Sequence, residues 1–160
     1  MIMQNKLLSI LADNARLSCE QLAAMTGMTA EAVATEIDRL QAEGIIKGYK
    51  AIIDWDKTDR SLCIARIELR VLPKSGMGFE EIAQTIAQFD EVETVYLMSG
   101  GYDLALTVSG KTFKDVATFV SHRLAPLESV QSTATHFVLR KYKERGILTA
   151  DDSDDGRELL

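Results

Sequence analysis

Apolar positions recur at helical spacing three times in the first forty-five residues. Leu7, Leu8 and Leu11 line one face of a helix over about residues 4–13. Ser18, with Gln21 three residues on, makes a capping box for a short second helix from about Cys19 to Met25. Thr26-Gly27-Met28 reads as a tight turn in which Gly27 takes the left-handed conformation. Thr29 caps a third helix over about residues 30–43, whose Val33, Ile37 and Leu40 fall at i, i+4 and i+7 and which Gly44 ends. The β-branched and aromatic run Ile45–Ile53 predicts a strand with a turn at Gly48, and polar, aperiodic 55–60 predicts a linker.

From residue 61 the period changes. Ser61–Leu72 alternates, with Cys63, Ala65, Ile67, Leu69 and Val71 on one face and Arg66, Glu68 and Arg70 on the other. After a loop at 73–78, Phe79, Ile82, Ala83, Ile86 and Phe89 mark an amphipathic helix. Val92–Met98 and Tyr102–Val108 read as strands joined by a tight turn at Ser99-Gly100-Gly101. Thr112 caps a helix built on Phe113, Val116, Ala117, Val120 and Leu124, Pro126 lies beyond its end, and Val130–Leu139 is a last strand. The order βαββαβ predicts a ferredoxin-like α+β domain over residues 61–148, behind a winged helix-turn-helix over 1–54.

Composition narrows this picture. The chain of 160 residues is 46% hydrophobic and 26% charged, an ordinary globular balance. No apolar run reaches the roughly 18 residues of a membrane span, and the N-terminus lacks a secretory pattern, so a cytoplasmic protein is expected. Cys19 and Cys63 are isolated thiols and read as small packed hydrophobes rather than metal ligands. Residues 1–60 hold seven basic and nine acidic side chains, residues 61–148 ten of each, and residues 149–160 one basic and five acidic, which predicts a disordered acidic tail.

Two helices joined by a short glycine-bearing turn suit DNA, the first crossing the backbone and the second entering the major groove. On that geometry Thr29, Ala30, Glu31, Thr35, Glu36 and Arg39 are candidate groove contacts. Thr can bond a base edge, Ala can touch a thymine methyl and Glu can accept from cytosine N4. Arg16, Arg39, Lys47 and Lys50 are candidate phosphate ligands. The same three helices also suit a plain bundle, and the four carboxylates of the third helix a solvated face. Those carboxylates stand against Arg39 alone, so each subunit is expected to bind modestly and to gain by multivalent assembly.

Several motifs in order carry a resemblance to the leucine-responsive regulatory protein/AsnC (Lrp/AsnC) family of transcriptional regulators. They are Arg16-Leu17-Ser18 leading into Glu20-Gln21-Leu22-Ala23, Arg39-Leu40-Gln41-Ala42-Glu43-Gly44-Ile45-Ile46 with Gly48-Tyr49, and Val95–Leu104 with its Ser99-Gly100-Gly101-Tyr102-Asp103 turn. The likeness covers about residues 4–145; the weakly basic third helix departs from it. It implies a RAM/ACT-like second domain, a homodimer through packed C-terminal sheets, assembly into a larger ring such as an octamer, and a small effector, usually an amino acid. The matching effector positions are Ser99, Gly100, Gly101, Tyr102 and Asp103, with Thr133 and Thr135 in the last strand. Chemically, glycine amides can hold a carboxylate, Asp103 can pair with an ammonium and the threonines can donate hydroxyls, although the same residues also suit a plain hairpin with Asp103 capping it. No nucleophile–base set, phosphate loop or metal motif stands out, so neither catalysis nor a cofactor is expected. Two other readings stay open: a partner subunit that antagonises another regulator, and a tetrapyrrole protein like the similar sirohaem decarboxylases, for which His122 or His136 would face a large cavity.

Overall fold

A computed structural model describes residues 2–60, 62–73 and 78–149. The loop expected at 73–78 therefore lies outside the described residues at 74–77, as does the acidic tail beyond Thr149. The chain divides into two compact units between Ala51 and Ile52.

The first unit holds helices α1 (Ile2–Asp13), α2 (Cys19–Thr26) and α3 (Ala30–Ala42). Each boundary has its chemical cause. The Ser18 hydroxyl accepts from the Gln21 amide while the Gln21 side chain accepts from the Ser18 amide. Gly27 ends α2 at φ +81, its amide donating to the Ala23 carbonyl at 2.8 Å. Thr29 caps α3 by accepting from Ala32, and Gly44 at φ +68 follows its end. The apolar faces meet in a core of Leu7, Leu11, Leu22, Val33 and Leu40. The strand expected over Ile45–Ile53 does not form: no strand pairing involves this segment, whose Ile45, Tyr49 and Ile53 are exposed. A strand needs a partner for its backbone groups, and among the described residues none lies beside it. Part of the expected linker is a single 3-10 turn, Trp55–Lys57, followed by Arg60 stacked on the Trp55 ring at 4.6 Å.

The second unit has β1 (Cys63–Val71), α4 (Phe79–Ala87), β2 (Val92–Leu97), β3 (Leu104–Gly110), α5 (Phe113–Phe119) and β4 (Val130–Phe137). Its four strands run in the order β2-β3-β1-β4, all neighbours antiparallel. The alternation in β1 is realised: Ala65, Ile67, Leu69 and Val71 are buried under Ile82 and Ile86 of α4 and Val116 and Phe119 of α5. Arg66 and Arg70 lie exposed on the opposite face. On that face Arg66 donates to the Thr107 hydroxyl (2.8 Å), which also accepts from Thr94 (2.7 Å), so buried Thr107 is satisfied by two strands.

Two features were not expected. The helix on Phe113 does not run evenly to Leu124; α5 gives way at Val120–Leu124 to a π turn, closed by the Ala125 amide on the Val120 carbonyl. A hairpin of β5 (Lys143–Glu144) and β6 (Ile147–Leu148) follows β4, turning through Arg145 at φ +46 and Gly146 at φ +90. Two consecutive positive φ values are the two-residue turn whose twist matches hairpin strands. Cys19 and Cys63 are half-buried against the two cores, and burial together with nearby Asp115 pushes the Cys63 thiol up, which leaves it a poor nucleophile.

Candidate functional site

In the first unit the outward face of α3 gathers most of the predicted groove contacts. Thr29, Glu31, Thr35 and Arg39 are exposed, and Ala30 and Glu36 half-buried. The two threonine hydroxyls are partly engaged: Thr29 accepts the Ala32 amide, and Thr35 donates to the Glu31 carbonyl one turn back at 3.0 Å. Arg39, expected on a phosphate, is paired here with carboxylates of its own helix and of the C-cap. Its Nε donates to Glu36 Oε2 (2.9 Å), its Nη2 to Glu36 Oε1 (2.8 Å) and its Nη1 to Glu43 Oε1 (2.5 Å). The pairs raise the affinity of Arg39 for its proton, and the Arg39 hydrogen bond holds the Glu36 carboxyl below the usual carboxylate range. Glu43 is one of the four carboxylates that the sequence sets against Arg39, and Glu36, Arg39 and Glu43 at i, i+3 and i+7 put two of those acids one turn either side of the arginine. Arg16, Lys47 and Lys50 are exposed and form no ion pair among the described residues. The Lys47 ammonium lies over Gly44 at the C-terminal end of α3, where the helix dipole favours a cation.

In the second unit the predicted effector residues 99–103 and Thr133 lie toward one end of the sheet, and Thr135 faces Ile67 in mid-strand. The loop between β2 and β3 is closed by the Met98 amide on the Asp103 carbonyl (2.8 Å), so it spans four residues, 99–102, rather than the three-residue turn expected. Asp103 is then tied to β1, an inner strand of the sheet. Its amide donates to the Leu69 carbonyl and its carboxylate accepts from the Val71 amide, both at 2.9 Å. Strand β3 consequently starts at Leu104, not Tyr102. Because Leu69 pairs with Thr133 and Ile67 with Thr135, the two threonines share the helix-covered face, half-buried, while Ser132, Ala134 and His136 take the open face. Asp103 and Thr133 thus flank Leu69, about two strand spacings (roughly 10 Å) apart.

Ser99, Gly100 and Gly101 are exposed, and Tyr102 is half-buried. Neither Gly100 nor Gly101 has a positive φ, and a Cβ on either would meet nothing within 4 Å. The Asp103–Val71 bond joins residues 32 apart and has no sequence signal. Both histidines lie on the surface: His122 Nδ1 sits 3.1 Å from the Thr118 carbonyl, and His136 Nε2 3.9 Å from Glu68.

A capped helix pair with a left-handed glycine turn, joined to a four-stranded βαββαβ sheet, defines a transcription regulator with a DNA-reading head and a ligand-binding domain. The comparisons agree. Residues 3–47 match the family described as winged helix-turn-helix DNA-binding, and residues 64–148 match the Lrp/AsnC ligand binding domain. An uncharacterised HTH-type transcriptional regulator of Bacillus subtilis, YugG, is 46% identical over 158 residues, covering 98% of this chain and 95% of that protein. The regulatory protein AsnC of Haemophilus influenzae is 26% identical, over 83% of this chain and 87% of its own. Among solved structures, a transcriptional regulator of Neisseria meningitidis in complex with L-Met has the same fold (TM-score 0.70, 22% identity, 89% of this chain and 91% of that one). The chain belongs to the Lrp/AsnC family and is a DNA-binding transcription regulator. Among the described residues no helix is long and apolar enough to cross a membrane.

Proposed function

We propose that this regulator senses a small amino-acid-type effector at the 99–103 loop and the adjoining start of β4, and that it acts without catalysis, in the cytoplasm, as a homodimer built into a larger ring such as an octamer. The observation that carries the effector reading is the pair Gly100-Gly101. Glycine is ordinarily demanded by a positive φ or by a neighbour too close for a Cβ, and neither holds at these two positions. The loop backbone is therefore bare and open to a group from outside the chain, and its amides suit a carboxylate. Half-buried Thr133 supplies a hydroxyl near the same end of the sheet, with Thr135 two residues further in. That the related Neisseria protein was solved with L-Met supports an amino acid as the ligand class.

The test is a thermal-shift screen of the twenty amino acids one by one, followed by calorimetry of the hits on Gly100→Ala, Gly101→Ala and Asp103→Asn. Asn keeps an acceptor for the Val71 amide, whereas Ala would remove a bond the sheet uses. Each glycine variant is expected to keep the wild-type melting temperature and to lose about tenfold or more in affinity, a loss of ~1.4 kcal/mol. Unchanged affinity in both glycine variants places the effector elsewhere.

A further inference from the structure

The only basic side chain on the DNA-reading helix is not available in the form a phosphate ligand needs. An arginine offers five N–H donors. Three of them are committed to carboxylates, two in a fork to Glu36 and one to Glu43. The cluster as a unit carries one net negative charge where a lone arginine would carry one positive. Asp38 beside it is exposed and unpaired among the described residues. A single exposed ion pair is weak, but a bidentate fork within a three-member network is the geometry in which such pairs hold best. Two of the three residues stand on α3 and Glu43 is its C-cap, at spacings that the backbone itself fixes, so DNA must compete with partners that never diffuse away.

We infer that Glu36 and Glu43 mask Arg39, so that these two carboxylates, rather than the number of cations, set how tightly the reading helix holds duplex DNA regardless of sequence. The mask keeps sequence-independent affinity low and leaves phosphate holding to Arg16, Lys47 and Lys50 outside the helix. Discrimination by base contacts then weighs more in the total, because specificity is a difference of affinities. The inference rests on the outward face of α3 meeting DNA.

Binding of the full-length protein to a random-sequence duplex, followed by fluorescence anisotropy from low to moderate salt, tests it with a double-mutant cycle. Glu36→Gln and Glu43→Gln are each expected to tighten binding about three- to tenfold at ~0.1 M salt and to steepen the salt dependence by about one counterion, as one more phosphate contact would. Asp38→Asn, which removes the same charge without freeing Arg39, is expected to change affinity less than about twofold. The gain from Glu36→Gln is expected to vanish in an Arg39→Ala background. Masking is overturned if that gain survives in Arg39→Ala, or if Arg39→Ala alone weakens binding and flattens the salt dependence by a full phosphate contact. A wild-type protein that fails to bind while Glu36→Gln binds supports masking in its strongest form. If no variant binds any duplex, including the upstream region of its own gene, the placement of α3 on DNA falls and masking with it; binding without coupling in the cycle sinks masking alone.

Discussion

The arginine of α3 in the first unit and those packed on the sheet of the second are held in opposite ways. In the helical unit the arginine of α3 is satisfied by neighbours three and four residues away, on the same helix and at its C-cap. In the sheet unit Arg66 reaches Thr107 and Arg123 reaches Glu91, partners 41 and 32 residues distant in sequence. Arg123 also lies over the rings of Phe89 and Phe119, which meet edge to face, so it ties the π turn to the segment before β2. The first unit is therefore assembled from locally determined pieces around five buried apolar side chains; the second is a web of long-range pairs around twelve. Helices of 8 to 13 residues are marginal alone, so the first unit depends on its caps and on a very small core.

The largest expected effect follows from that imbalance. Leu22→Ala and Ile67→Ala each remove a fully buried side chain, at a cost of about 2–5 kcal/mol. For a unit of this size that is comparable with its whole stability, roughly 3–8 kcal/mol. Leu22→Ala should unfold the helical unit and abolish DNA binding while the sheet keeps its slow amide exchange. Ile67→Ala should speed exchange throughout the larger sheet core without unfolding it. Loss of protection in both units with Leu22→Ala would mean that they do not stand separately.

The same contrast explains what could be read in advance. The Ser18–Gln21 capping box, the left-handed Gly27, the α3 stop at Gly44 and the inward face of β1 are written in residues a few positions apart, and all are present in the fold. Ile45–Ile53 misled because β-propensity describes fitness for a pleated surface, and no partner strand supplies that surface. The β5–β6 hairpin was missed because its turn is Arg145-Gly146, without the Asn or Asp that usually marks two positive φ values. Of the candidate site, the α3 face and the glycine loop were legible as positions. Their engagement was not. Asp103 is tied to Val71 by a bond no local pattern announces, and the spacing of Glu36, Arg39 and Glu43 was readable but passed over in favour of a phosphate role.

Glycines sharpen the comparison at a smaller scale. Gly27 at φ +81 is required by the turn between α2 and α3, so Gly27→Ala should cost about 1–2 kcal/mol although a Cβ there meets no neighbour. Ser18→Ala should cost about 1 kcal/mol through the lost cap. Gly100→Ala, free of either constraint, should leave the melting temperature in place. A Gly100→Ala variant destabilised as much as Gly27→Ala would remove the argument that something outside the chain requires that glycine.

The smallest effect is electrostatic and separates two carboxyls on neighbouring helices. Glu36 is held below the ordinary carboxylate value by the Arg39 fork, and Glu20 below it by the Ser18 hydroxyl. Because both values are depressed in the folded chain, each contribution is fully present above the unfolded carboxylate value and is lost as the pH falls through the depressed one. Acid should accordingly release Arg39 from Glu36 only below the range in which ordinary carboxylates titrate. A side-chain carbon NMR titration is expected to show both groups titrating low in the wild type. Arg39→Ala should raise Glu36 alone, and Ser18→Ala should raise Glu20 alone and only part of the way, because a backbone hydrogen bond also holds it low. If Glu36 titrates normally in the wild type, the fork is not populated in solution, α3 carries a free arginine, and the local charge pairing that distinguishes the two units disappears.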